Sequence, residues 1–122
     1  MASAGAFSWN SELPSGRNPF WIRDEALSGL GLHVGDAVSV DTRAEPQDGD
    51  LVVVEAEVED DSQRLARRYF YVSGADRVRL EAVSESEDVL ELPAGSVMVM
   101  GVIAARVRFS PNGEQAFEEP IP

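Results

Sequence analysis

The chain has 122 residues, no cysteine and a formal charge of −12, which suits one domain with its own core and excludes disulfides, thiolate metal sites and a cysteine nucleophile. So acidic a surface repels nucleic-acid phosphate, which argues against direct DNA or RNA binding and leaves solubility as the plainest use of the charge. All ten basic residues are Arg, so no lysine general base exists in the chain, because Arg keeps its proton at any ordinary pH.

No stretch approaches the ~20 apolar residues of a membrane helix, and the start MASAGAFSWN lacks the basic residues and apolar run of a signal peptide. The expectation is a cytoplasmic protein with no membrane partner and no cofactor. Residues 1–19 are rich in Ser, Gly, Asn and Pro and read as a flexible arm carrying Phe7 and Trp9. Phe20-Trp21-Ile22 opens the domain as a short strand. Asp24 to Leu27 reads as one helical turn, ended by Gly29 and Gly31.

A phrase then occurs twice, GDAVSVD at 35–41 and GDLVVVE at 49–55. In the first, Ala37, Ser39 and Asp41 face one way, with Val38 and Val40 on the other face. The second is continuously apolar from Leu51 to Val54, the mark of a strand buried on both faces. AEPQDG between them carries turn chemistry. Asp36, Asp41, Asp48 and Asp50 read as turn caps rather than metal ligands.

EAEVEDD at 55–61 continues the strand and then turns acidic. It lacks the spacing of a calcium loop and reads as a solvated hairpin. Arg64 to Val72 is a strand with aromatic weight, Ser73 to Asp76 a hairpin loop and Arg77 to Val83 its return. SESED is a polar loop, Val89 to Leu92 a short strand, and Pro93-Ala94-Gly95 a turn. Val97 to Phe109 is the longest strand pattern. Val97, Val99, Ile103, Ala105, Val107 and Phe109 share one face by alternation, and Gly101 marks a bulge or bend. The polar, Pro-rich tail from 111 to 122 is expected to fray. The sum is about seven short strands with little helix, a mostly β chain folded as a compact barrel or folded sheet.

The phrase GLHVGDAVSVDTRAEPQDGDLVVVE resembles the core of the LexA/UmuD family, self-cleaving serine peptidases that end many bacterial and phage repressors. ARRYFYVSGADRVRLEAVSES looks like that family's Lys-Arg-Leu strand and hairpin, and VMVMGVIAARVRF like its closing strand. The likeness runs from Phe20 to about Phe109. It implies a LexA/UmuD-like fold over 20–110, a homodimer formed partly through the C-terminal strand, and a Ser–Lys dyad in which a desolvated lysine takes the proton of a serine. The serine's place falls on Ala26, which has no hydroxyl. The lysine's place falls on Arg67 or, with a one-residue slip, Arg68. Both halves of the dyad are therefore missing. The family cleaves itself at an upstream Ala-Gly or Cys-Gly bond. Ala4-Gly5 is such a dipeptide but lies closer to Ala26 than the family's linker, and chance explains it. The resemblance thus implies a pseudo-peptidase that works by contact with another protein: a repressor, a DNA-repair polymerase component or another regulator of transcription or the SOS response to DNA damage.

Other candidates come from the residues themselves. Ser28 with His33 as base is a weak arrangement for a displaced hydrolase site, since no aspartate is obviously placed to orient the histidine. His33, the only histidine, otherwise reads as a surface loop residue. Arg67 and Arg68 either bind an acidic partner or pair with nearby Glu. Met98, Met100 and Val102 form an apolar stripe that suits a dimer seam on an edge strand, or ordinary core. Phe7, Trp9, Phe20 and Trp21 are aromatic anchors for a partner.

Overall fold

The structure is a computed structural model and describes residues 13–85 and 88–121. Its strands are β1 (Asn18–Trp21), β2 (Ala37–Asp41), β3 (Leu51–Val58), β4 (Asp61–Val72), β5 (Arg77–Glu81), β6 (Val89–Pro93), β7 (Val97–Phe109) and β8 (Ala116–Glu119). They form one eight-stranded sheet in the order β1-β2-β7-β3-β4-β5-β6, with β8 beside β7. The pairings are antiparallel. Two 3-10 turns, Ser28–Leu30 and Ala94–Ser96, supply the described helical content. The mostly β reading holds, as a folded sheet of eight strands. None of the described helices is long and apolar enough to cross a membrane.

β3 is the centre of the molecule. Val52, Val53 and Val54 are each fully buried, as a continuous apolar run demands. Val53 points into a cluster with Phe20, Ile22, Leu27, Leu32, Val38, Val40, Ala66 and Ile103. Val52 and Val54 point the other way, towards Ala56, Leu65, Val78 and Leu80. A smaller cluster joins Leu13, Ala37 and Val107. The sheet is thus lined with core on both faces, and burial of this kind contributes about 1.5–3 kcal/mol per large aliphatic side chain.

The repeated Gly-Asp phrase builds the same turn twice. In residues 33–36 the Asp36 N–H donates to the His33 carbonyl at 2.9 Å, and the Asp36 carboxylate accepts the His33 N–H at 2.8 Å. In residues 47–50 Asp50 does the same to Gln47, at 3.0 and 2.8 Å. Gly35 and Gly49 both sit at φ 92°, which the third position of such a turn requires and which side chains resist. Asp41 accepts the Arg43 N–H and Asp48 the Tyr71 N–H. Asp36, Asp41 and Asp50 cap their own turns, whereas Asp48 reaches across to β4. The β3–β4 hairpin closes on Glu59 and Asp60 at φ 51° and 68°, the conformation of a two-residue turn with both central φ angles positive. The acidic run is therefore hairpin, with Glu55 receiving the Ser62 hydroxyl at 3.2 Å and lying 3.9 Å from Arg64.

Several expectations are corrected. β7 does not keep one face. Its register slips against β3 between Val53 and Val54 and against β2 between Ser39 and Val40. Each slip inserts one residue, Met100 and then Ala104, and each reverses the alternation. Val97, Val99 and Val102 therefore pack in the second cluster, Met100 and Ile103 in the first, and Phe109 in the third. The Met98–Met100–Val102 stripe is broken by the first of these slips, which puts Met100 against the first cluster and Val102 in the second. The helical turn expected at 24–27 lies at Ser28–Leu30 and ends on Gly31 at φ 77°. The tail expected to fray returns as β8, because its backbone finds partners along Arg106–Phe109. At the other end, Leu13 is already 3 % exposed and β1 begins at Asn18, within the segment read as an arm.

Candidate functional site

The loop from Ile22 to β2 folds back beside the chain that leaves β5. The Val83 N–H donates to the Ala26 carbonyl at 2.6 Å, and the Gly29 N–H to the Val83 carbonyl at 2.7 Å. These bonds fix the loop across the start of the 3-10 turn. Between them opens a cleft of about 600 Å³. Asp24, Glu25, Ala26, Ser28 and His33 come from the loop, Arg67 from β4, and Glu85 and Asp88 from the rim beyond β5. The two positions matched to a serine and a lysine, Ala26 and Arg67, thus line the same cavity.

Neither can run the dyad. Ala26 offers only backbone, and its N–H donates to Asp24 Oδ1 at 3.1 Å. The Arg67 guanidinium forms a two-pronged pair with Asp24, 43 residues away, at 3.2 and 2.9 Å, and also donates to the Ala66 carbonyl at 2.9 Å. Its side chain is only 12 % exposed. A guanidinium so held cannot give up a proton, and the forked geometry is one a lysine does not reproduce. Arg67 is also unavailable to an acidic partner. Its neighbour Arg68 is half-buried and makes no ion pair among the described residues.

The histidine is oriented after all. Glu25 Oε1 lies 2.7 Å from His33 Nδ1, and Glu25 Oε2 accepts the Val34 N–H at 2.9 Å. The Val34 N–H and the His33 ring together hold the Glu25 carboxyl below its usual range. A carboxylate on Nδ1 leaves Nε2 as the acceptor of a neutral imidazole, the arrangement of an oriented base. Ser28 shares the cleft, yet its hydroxyl forms no hydrogen bond to His33 among the described residues. Among the described lining residues four are carboxylates, Asp24, Glu25, Glu85 and Asp88, against one guanidinium, that of Arg67, so this lining is acidic.

The remaining candidates are dispersed. Phe20 is 5 % exposed and belongs to the first core cluster, opposite Val38 in the β1–β2 register, so it cannot anchor a partner. Trp21 is half-buried and stacks on Phe109 at 6.1 Å with ring planes 6° apart. Phe7 and Trp9 lie outside the described residues. Met98 is 58 % exposed, whereas Met100 packs against the first cluster. Sequence reasoning missed the Asp24–Arg67 and Glu25–His33 contacts. Adjacent acids beside position 26 were visible, but their partners depend on how the loop folds back.

No family model matches the chain, and no curated protein matches it.

Proposed function

We propose that this chain is a non-catalytic LexA/UmuD-like domain that acts as a dimeric protein-interaction module in bacterial transcription regulation or the DNA-damage response. One observation carries the reading. Ala26 and Arg67, placed by resemblance where a nucleophile and its base would sit, meet in one cleft, and there an Asp24–Arg67 ion pair stands where proton transfer would be needed. An inert cleft that keeps its shape is suited to holding a segment of another protein. The acidic lining favours a partner presenting basic side chains and disfavours nucleic acid. The test is capture from native lysate combined with sedimentation of the purified chain. The reading expects a dimer and a retained protein partner whose binding falls when the exposed rim carboxylates are reversed in Glu85→Lys combined with Asp88→Lys; a strict monomer that retains nothing contradicts it.

The Glu25–His33 pair favours a second reading, a serine hydrolase with Ser28 as displaced nucleophile. It predicts labelling of the native protein by a fluorophosphonate, lost in Ser28→Ala and in His33→Gln. An unlabelled protein removes it.

A further inference from the structure

Three arginines, Arg68, Arg77 and Arg79, project from one face of the β4–β5 hairpin. The register sets Arg68 opposite Glu81 and Phe70 opposite Arg79, and carries the same two rows on to Val89 and Glu91 of β6. Directly opposed residues of an antiparallel sheet share a face, so these side chains form one surface. Arg67 is not part of it, because neighbours on a strand point to opposite sides. Arg67 lines the cleft, and Arg68 turns away from it.

The charges on this surface do not balance. Glu91 is engaged by Arg77, whose Nε donates to Glu91 Oε2 at 3.1 Å and whose Nη2 donates to the Glu91 carbonyl at 2.9 Å. Glu81 is engaged by Arg79, 2.8 Å away, in a contact of charges, since the Arg79 Nε–H makes no hydrogen bond. The Arg79 guanidinium also lies over the Phe70 ring, 5.1 Å from its centroid. Two carboxylates thus answer two guanidiniums, and Arg68 is left over. It stands directly opposite Glu81, yet its guanidinium makes no ion pair or hydrogen bond among the described residues. That is unexpected in a chain with 22 acidic and ten basic residues. Arg23 and Arg43 also lack an ion pair among the described residues, but both are exposed and water serves them. Arg68 is half-buried, opposite Leu51 on its other side, so part of its hydration is already given up. An apolar foothold lies in the same row. Val89 is 52 % exposed and stands two strand spacings from Arg68, about 10 Å, a distance that three residues of extended chain cover.

We propose that this face docks an acidic segment of a partner protein, with one carboxylate taken by the Arg68 fork and an apolar side chain three residues away seated on Val89. The site is separate from the cleft and does not depend on the function read from it. Charge selects the occupant. The surplus on the face is a single positive charge, while the whole chain at −12 repels a polyanion, so a segment with one carboxylate fits and a nucleic acid does not. Guanidinium and carboxylate match in two parallel hydrogen bonds, and Glu81, already held by Arg79, does not compete for the fork.

The test is NMR of the full nitrogen-15-labelled chain, following the arginine Nε–H resonances during titration with the peptide acetyl-Gly-Glu-Ser-Ser-Leu-Gly amide. The Arg68 resonance shifts and saturates, while those of Arg23 and Arg43 stay still. Changing the peptide's Glu to Gln, or the protein by Arg68→Gln, weakens binding by at least about tenfold, as loss of a charge-assisted pair requires. Val89→Ser weakens it by a smaller factor. The Gln peptide poses the same question to the native chain, so the result stands even where Arg68→Gln disturbs the fold. Equal shifts at Arg23, Arg43 and Arg68 would show attraction to any exposed cation. No shift at Arg68 up to about 10 mM peptide would show a side chain served by water. Either result, or binding that survives the loss of the carboxylate, overturns the site.

Discussion

Asp24 holds the Ala26 N–H and the Arg67 guanidinium at once, and this double use governs what substitutions in the cleft can do. Arg67→Met removes a half-buried forked pair and should cost about 1–2 kcal/mol, read as a lower urea midpoint with unchanged slope. Restoring the dyad residues alone should not restore chemistry. In Ala26→Ser combined with Arg67→Lys, the new ammonium would lie beside the Asp24 carboxylate, and an opposite charge favours the protonated form. The double variant is expected to stay unlabelled by fluorophosphonate, whereas adding Asp24→Ala, which releases that ammonium, should give labelling at position 26. Labelling of the double variant would show that Asp24 does not control the site.

The strands and turns carry the next set of expectations. Gly101→Ala forces a methyl to 2.5 Å from Val40 Cγ1 and 2.8 Å from backbone at Asp41, and backbone cannot yield as a side-chain tip can. A loss of about 1–3 kcal/mol is expected in denaturant unfolding. Asp60 carries φ 68° in the β3–β4 turn, a conformation glycine adopts freely, so Asp60→Gly should raise stability by up to about 1 kcal/mol and the melting temperature with it. Much of this architecture was legible in the residues. The uninterrupted Leu51–Val54 run told of burial on both faces, and the repeated Gly-Asp phrase told of two strands, although the identical turn before each showed only in the fold. What was hidden depends on contacts distant in sequence. The two slips in β7 arise from pairing with β2 and β3, so alternation alone assigned Ile103 to the wrong face. β8 is held by backbone bonds to β7, which a polar, Pro-rich composition does not announce. The 3-10 turn lies beyond the expected one because Gly29 is bonded to the Val83 carbonyl. In the cleft, position matching found Ala26 and Arg67, but the carboxylates that hold Arg67 and His33 became visible only with the loop folded.

For the molecule as a whole, both ends of the described chain are fastened by one carboxylate. Burial alone would raise the Glu118 carboxyl, but hydrogen bonds from Ser15, Ser39 and Arg17 outweigh it and hold Glu118 below its ordinary value of 4.5. Arg17 Nη1 lies 3.0 Å away. A carboxyl lowered in the folded state stabilises fully above the unfolded value, and that contribution is lost as pH falls through the folded one. Acid titration of the melting temperature below about pH 4.5 should therefore fall more gently in Glu118→Gln than in the native protein; parallel curves would deny the clasp. The charge of −12 also predicts that, in the dimeric reading, added salt strengthens self-association by screening repulsion between copies, whereas a dimer that weakens with salt would point to an interface held by ion pairs.

The central claim is that a peptidase-like cleft persists here without a nucleophile, and intact-mass spectrometry of the native protein tests it most directly. After days at alkaline pH with a fluorophosphonate present, the account predicts a single species of unaltered mass. A phosphonyl adduct on Ser28, or a chain clipped by its own action, would contradict it.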